Sequence, residues 1–128
     1  GFTPLIVAAA GGHAEACKVL LDNGADLSRV HSEGVDALMY AAAGGHLETA
    51  KLLIARGADV KALHAHGGSA LIEAATAGDV PVLELLIKEG ADALLVDSDD
   101  GTTALMAAAV RGHAAIITLL LAAGVKVD

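Results

Sequence analysis

The sequence predicts an all-α solenoid of stacked helix-turn-helix units joined by short hairpin loops, and three observations predict it. Leu5, Leu38, Leu71 and Leu105 open equivalent segments spaced 33, 33 and 34 residues apart. Gly12-His13, Gly45-His46, Gly78-Asp79 and Gly112-His113 keep the same step. So do Gly24-Ala25-Asp26, Gly57-Ala58-Asp59 and Gly90-Ala91-Asp92, with a degraded copy at Gly124-Val125-Lys126. A period of this length marks an array in which each unit buries its apolar face only against a neighbour. Residues 1–128 therefore read as one array with units near 1–33, 34–66, 67–100 and 101–128.

The second unit has a neighbour on each side and shows how one copy is built. Gly34 supplies a turn residue, and Asp36 is placed to cap a first short helix from about Leu38 to Ala43. Leu38, Ala41 and Ala42 lie at i, i+3 and i+4 and define a buried stripe, with alanine supplying the highest helix propensity. Gly44-Gly45 breaks that helix. A second helix is expected from near His46 to about Ala55, with Glu48 in its first turn and Arg56 at its end, as the helix dipole favours. Leu47, Ala50, Leu53 and Ile54 have core spacing, whereas Glu48 and Lys51 point outward. Gly57 stops the helix, and the tract from Ala58 to Gly67 suits a short hairpin. The period carries this layout to the other units, with one extra residue in the tract Ala93 to Asp100.

Composition narrows the function classes. Hydrophobic residues make up 55% and aromatics only 2%, so the apolar content is nearly all Ala, Leu, Val and Ile, which lets helices approach closely. The apolar runs are too short and too interrupted to span a bilayer. The net charge of −8 disfavours nucleic acid, which needs a basic stripe, and favours a neutral or basic protein partner. Cys17 is the only cysteine, which excludes an internal disulfide and fits a reducing, intracellular compartment, cytoplasmic or nuclear. It reads as a small buried hydrophobe.

No chemistry-bearing constellation stands out. His13, His46 and His113 recur once per unit and read as structural or capping groups in separate layers. His64 and His66 could supply two metal ligands but have no adjacent third, so a solvated turn is the simpler reading and a metal-responsive module the alternative. Asp97, Asp99, Asp100 and Gly101 resemble the start of a calcium loop, but Gly101 and Ala108 stand where ligands are needed. The Gly11-Gly12 and Gly44-Gly45 doublets lack the features of a phosphate cradle. Without a nucleophile elbow or an activated cysteine, no enzyme is expected and no cofactor or metal is assigned.

The chain resembles the ankyrin repeat family over essentially its whole length. Thr3-Pro4-Leu5-Ile6-Val7-Ala8 follows the family's T-P-L-H-x-A signature most closely. Asp36-Ala37-Leu38-Met39-Tyr40-Ala41, Ser69-Ala70-Leu71-Ile72-Glu73-Ala74 and Thr103-Ala104-Leu105-Met106-Ala107-Ala108 are looser versions. Ile6, Met39, Ile72 and Met106 replace the signature histidine, so apolar packing should replace its polar cross-link. Ser28, Lys61 and Leu94 stand where asparagine is frequent in the family's hairpins.

The resemblance implies a protein-interaction scaffold that binds a partner protein or peptide on the concave face formed by hairpin tips and first helices. Its matching positions are Ser32, Glu33, Val35, Tyr40, Ala43, His66, Glu73, Thr76, Asp99, Asp100, Thr102, Val110 and Arg111. Tyr40 and Arg111 are the natural anchors, because aromatics and arginine dominate binding hot spots. Tyr40 should lie opposite the Leu38 stripe, where the competing role is packing between units. A regulatory or targeting segment of a larger enzyme or channel is the alternative. Ile116, Ile117, Leu120 and Leu121 keep the last helix as apolar as an internal one. We therefore expect the stack to continue in a longer chain, or its ends to self-associate.

Overall fold

The computed structural model describes residues 1–97 and 99–128. Among them eight helices form four antiparallel pairs: α1 (Pro4–Ala10) with α2 (Ala14–Asp22), α3 (Ala37–Ala43) with α4 (Leu47–Ala55), α5 (Ala70–Ala77) with α6 (Val80–Lys88), and α7 (Ala104–Arg111) with α8 (Ala114–Ala122). The first helices stack in one layer, α3 against α1 and α5, and α5 against α7; the second helices stack in another in the same order. This is the expected all-α solenoid.

Local chemistry explains the helix starts. Thr3, Asp36 and Thr103 sit in extended backbone and accept from the amides of Ile6, Met39 and Met106. Asp79 does the same for Val82, while Ser69 makes no such side-chain bond. Asp36 thus has its expected role, one residue before a helix that starts at Ala37. Burial pushes its carboxyl above the usual range, against the opposing effect of the amides it accepts from.

The core runs through the layers rather than around a centre. Leu5, Leu38 and Leu71 are buried, and so are Ile6, Met39 and Ile72, so apolar packing occupies the signature-histidine position as expected in three units. Met106, the fourth, is instead 54% exposed. In α4, Ala50 and Leu53 are fully buried, but Leu47 and Ile54 only partly, because they lie at the edges of the stripe. Glu48 and Lys51 point outward and pair at 3.5 Å.

Each second helix directs a position in its first turn at the preceding unit. It is Ala16, Thr49, Val82 and Ile116 in turn; Ala16, which no described unit faces, is exposed, whereas the other three are buried. Cys17 lies on the opposite flank, fully buried, and burial raises its thiol pKa. It is therefore a packing residue rather than an activated thiolate.

The glycine-histidine marker has a structural cause. Gly12 adopts φ 73°, and a Cβ there would lie 2.5 Å from His46 Nδ1 of the next unit. Gly78 stands in the same relation to His113. The rings lie over the glycines and reach back: His46 Nε2 donates to Ala10 O at 3.0 Å and His113 Nε2 to Thr76 O at 3.1 Å. His13, His46 and His113 all occupy N-cap positions, yet none makes a side-chain cap bond. Capping is thus not their role; His46 and His113 tie one unit to the one before.

Antiparallel bridges His31–Val35, Leu63–Ser69 and Val96–Thr103 close the three hairpins. In the first, a single 3-10 turn spans Ser32–Gly34 with Glu33 at φ 69°. The expected extra residue belongs to the third hairpin, where position 98 lies outside the described residues.

Candidate partner-binding surface

The hairpins fold back along the layer of first helices, and the fold-back brings register-equivalent residues together. His31 meets Tyr40, nine residues on, with the Tyr40 hydroxyl 3.0 Å from Nδ1. One unit later His64 meets Glu73, with Nε2 3.9 Å from Oε1. Asp97 and Ala107 hold the same positions in the third hairpin and fourth unit, where no such polar pair can form. Desolvation raises the Glu73 pKa; the charge of His64 opposes this and that of Asp97 adds to it.

Phe2 completes the first of these pairs. Its ring stacks on His31 at 3.8 Å with 13° between planes, and lies 5.8 Å from the Tyr40 ring. Tyr40 is half-buried beneath this cluster, whereas Phe2 stays 57% exposed. Three rings in one small area form an aromatic platform in a chain nearly devoid of aromatics.

A charged line crosses the hairpin tips beside it. His66 Nε2 is 3.1 Å from Glu33 Oε2, and its Nδ1 contacts Asp99 Oδ2. One imidazole thus bridges carboxylates from the tips before and after its own. Asp99, and then Glu33, hold the His66 pKa above its ordinary value. Within the third tip the Asp99 amide donates to Asp97 Oδ1 at 2.9 Å and the Thr102 amide to Asp100 Oδ1 at 2.8 Å. Hydrogen bonding from Thr102 holds Asp100 below the usual carboxylate range. These are turn-closing contacts.

The thirteen positions named from sequence separate accordingly. Glu33, His66 and Asp99 are linked directly, and Tyr40 and Glu73 each face a hairpin histidine. Ser32, Ala43, Asp100, Val110 and Arg111 are exposed, while Val35 and Thr102 are half-buried at the tips. Thr76 is half-buried, its hydroxyl donating to Ile72 O of its own helix at 2.9 Å. Phe2 and His31 were not among the thirteen. The signal was present, since Phe2 shares its register with Val35, Gly68 and Thr102, and His31 with His64 and Asp97.

The His64 and His66 rings meet edge to face with centroids 5.7 Å apart. Each engages its own carboxylates, and among the described residues no group of three or more His, Cys, Asp or Glu could hold a metal. No helix among those residues is long and apolar enough to cross a membrane.

The family model for ankyrin repeats (3 copies) matches residues 1–64 and again residues 61–128. Among curated proteins nothing matches the chain. The crystal structure of the human ASB11 ankyrin repeat domain is similar, with 33% identity and a TM-score of 0.93 over 99% of this chain. This chain spans 57% of that domain's length. Ankyrin repeats generally serve as protein–protein interaction modules. On its repeat spacing, its stacked helix pairs and these matches, the chain belongs to the ankyrin repeat family.

Proposed function

We propose that this array is a non-catalytic scaffold that holds a neutral or basic protein segment along its hairpin tips and first helices. The observation that carries this reading is the Phe2–His31–Tyr40 platform beside a line of carboxylates. Exposed aromatic area supplies binding energy, and acidic neighbours select the charge of what lies across it. Glu33, Glu73, Asp97, Asp99 and Asp100 are acidic on this side, with Arg111 set apart at the end of α7. A lysine or arginine of the partner can lie over the rings of Phe2 and Tyr40 while its neighbours meet Glu33 or Asp99. The lone buried thiol suits a reducing compartment, so the work belongs inside the cell.

The test uses photo-crosslinking residues at Ala43, on the proposed surface, and at Lys51, on the outer layer. Crosslinks to one basic segment from Ala43 and none from Lys51 are expected, with capture lost in Phe2→Ala and Tyr40→Ala variants. A hot spot of at least about 2 kcal/mol corresponds to roughly thirty-fold weaker binding. Equal crosslinking from both sites, or undiminished affinity in both variants, would remove the assignment.

A further inference from the structure

One titratable side chain links the three hairpin tips. His66 Nε2 lies 3.1 Å from Glu33 Oε2 of the tip before, and its Nδ1 contacts Asp99 Oδ2 of the tip after. Both contacts ask for a proton on the ring, so only the imidazolium serves the two carboxylates at once. A neutral imidazole donates from one nitrogen and turns a lone pair toward the other acid. On its own hairpin His66 faces His64, whose ring stands edge-on at 5.7 Å and whose Nδ1 accepts from the His66 amide at 3.2 Å. His64 in turn lies against Glu73 of α5.

The line of acids is held in place and yet open to solvent. Glu33, at φ 69°, is the one residue other than glycine with left-handed backbone among those described, and its carbonyl accepts from the Ala65 amide. A strained conformation is thus fixed beside His66. The side chains of His66, Glu33 and Asp99 remain 46%, 65% and 57% exposed, so a partner can reach all three. Asp99, and then Glu33, favour the charged ring, which makes the pair of acids a seat for a cation.

We propose that His66 is an internal stand-in for a basic side chain of the partner: an arginine or lysine takes the place of the imidazolium between Glu33 and Asp99, and the ring leaves as its neutral form. One proton passes from His66 to solvent, and one cation replaces another between the same two carboxylates. This inference deepens the proposed function and rests on it, since Glu33 follows His31 of the aromatic platform by two residues. Neighbouring partner residues therefore reach platform and acids together. A guanidinium is the better occupant, because its fork of N–H donors serves two carboxylates with more than one bond each.

Partner binding is then linked to pH. The competent fraction is the unprotonated one, and with a His66 midpoint at or above 6.5 it is at most about one part in eleven at pH 5.5. The test titrates the whole chain with an acetylated, amidated hexa-arginine peptide by calorimetry at pH 5.5 and pH 8.5, and follows the His66 ring by NMR between them. In the parent the peptide should bind at least about ten-fold more tightly at the higher pH, and bound peptide should lower the His66 midpoint by about one pH unit or more. Because His31 and His64 share this face, the comparison that counts is with His66→Ala. There the pH dependence should fall below about three-fold, with tighter binding than the parent at pH 5.5. His66→Lys keeps a cation that does not leave, and should bind weakly at both values. A His66 midpoint unmoved by bound peptide, or equal pH dependence in parent and His66→Ala, overturns the proposal; if Phe2→Ala and Tyr40→Ala still weaken binding, the platform stands. The expected pH dependence in a complex indifferent to Phe2→Ala and Tyr40→Ala supports the exchange and removes the platform. A peptide that binds at neither pH overturns both.

Discussion

Thr49→Val should make this protein more stable. Thr49 is 1% exposed, at the position of α4 directed against the preceding unit, and its Oγ1 has no hydrogen-bond partner. Thr76 and Thr118 show the usual remedy, donating to the carbonyl four residues earlier, but Thr49 does not. A hydroxyl buried without a partner costs about 1–3 kcal/mol. Valine has nearly the same shape and a similar helix propensity, and the chain itself uses Val82 and Ile116 at the equivalent positions. The gain should therefore be about 1–2 kcal/mol, which for a domain of this size raises Tm by roughly 3–8 °C. Urea unfolding followed by circular dichroism measures it as a higher midpoint at unchanged m-value. Thr49→Ser is the control: it keeps the hydroxyl, loses a methyl group and should cost about 1 kcal/mol. An unchanged or lowered midpoint in Thr49→Val would mean that the hydroxyl is satisfied after all, and the reasoning would fail.

Other substitutions probe the same stack. Leu86→Ala empties a fully buried site and should cost about 2–5 kcal/mol, whereas Leu121→Ala on the open flank should cost less than about 1 kcal/mol; equal losses in a denaturant titration would contradict the burial described. His66 has a folded pKa raised above 6.5, so its link to Glu33 and Asp99 stabilises fully below the unfolded value and is lost as pH rises through the folded value. The Tm difference between the parent and His66→Ala should shrink across that window, and an NMR titration placing His66 at or below 6.5 would exclude the bridge. Glu73 is raised above 4.5 by burial, so its ionised form costs stability at neutral pH. Glu73→Gln should melt higher there, with the advantage closing as pH falls toward 4.5, and a variant melting lower at neutral pH would mean that His64 outweighs desolvation.

The periodic part of this molecule was legible in the sequence, and the reason is physical. Leu38, Ala41, Ala42, Ala50 and Leu53 lie where helical spacing places them, because a solenoid asks the same thing of each copy. The departures concern residues whose roles depend on the neighbouring copy. Nothing local to His46 shows that its ring crosses Gly12 to reach Ala10 O, so its spacing supports a structural or capping role without telling the two apart. The Phe2–His31–Tyr40 cluster forms because a hairpin folds back on the first helices, and spacing along one helix does not encode that. Leu47 and Ile54 have core spacing yet stand at its edge, since a stripe has a width that periodicity does not measure. Thr49 carries no signal until its neighbours are known.

The histidine ties also bear on mechanics. His46 joins the second unit to the first and His113 joins the fourth to the third, each by a bond to a backbone carbonyl. Asp79 stands at this position in the third unit, and its carboxylate, which accepts from the Val82 amide, has no proton to donate to the unit before it. Hydrogen bonds hold an angle, whereas apolar packing resists separation but tolerates sliding and rotation. The joint between α3–α4 and α5–α6 lacks such a tie at the helix turns, and its polar links, His64 to Glu73 and His66 to Asp99, lie at the hairpins instead. Two of the three joints are thus pinned on the helix-turn side, and the middle one only on the side that carries the aromatic platform.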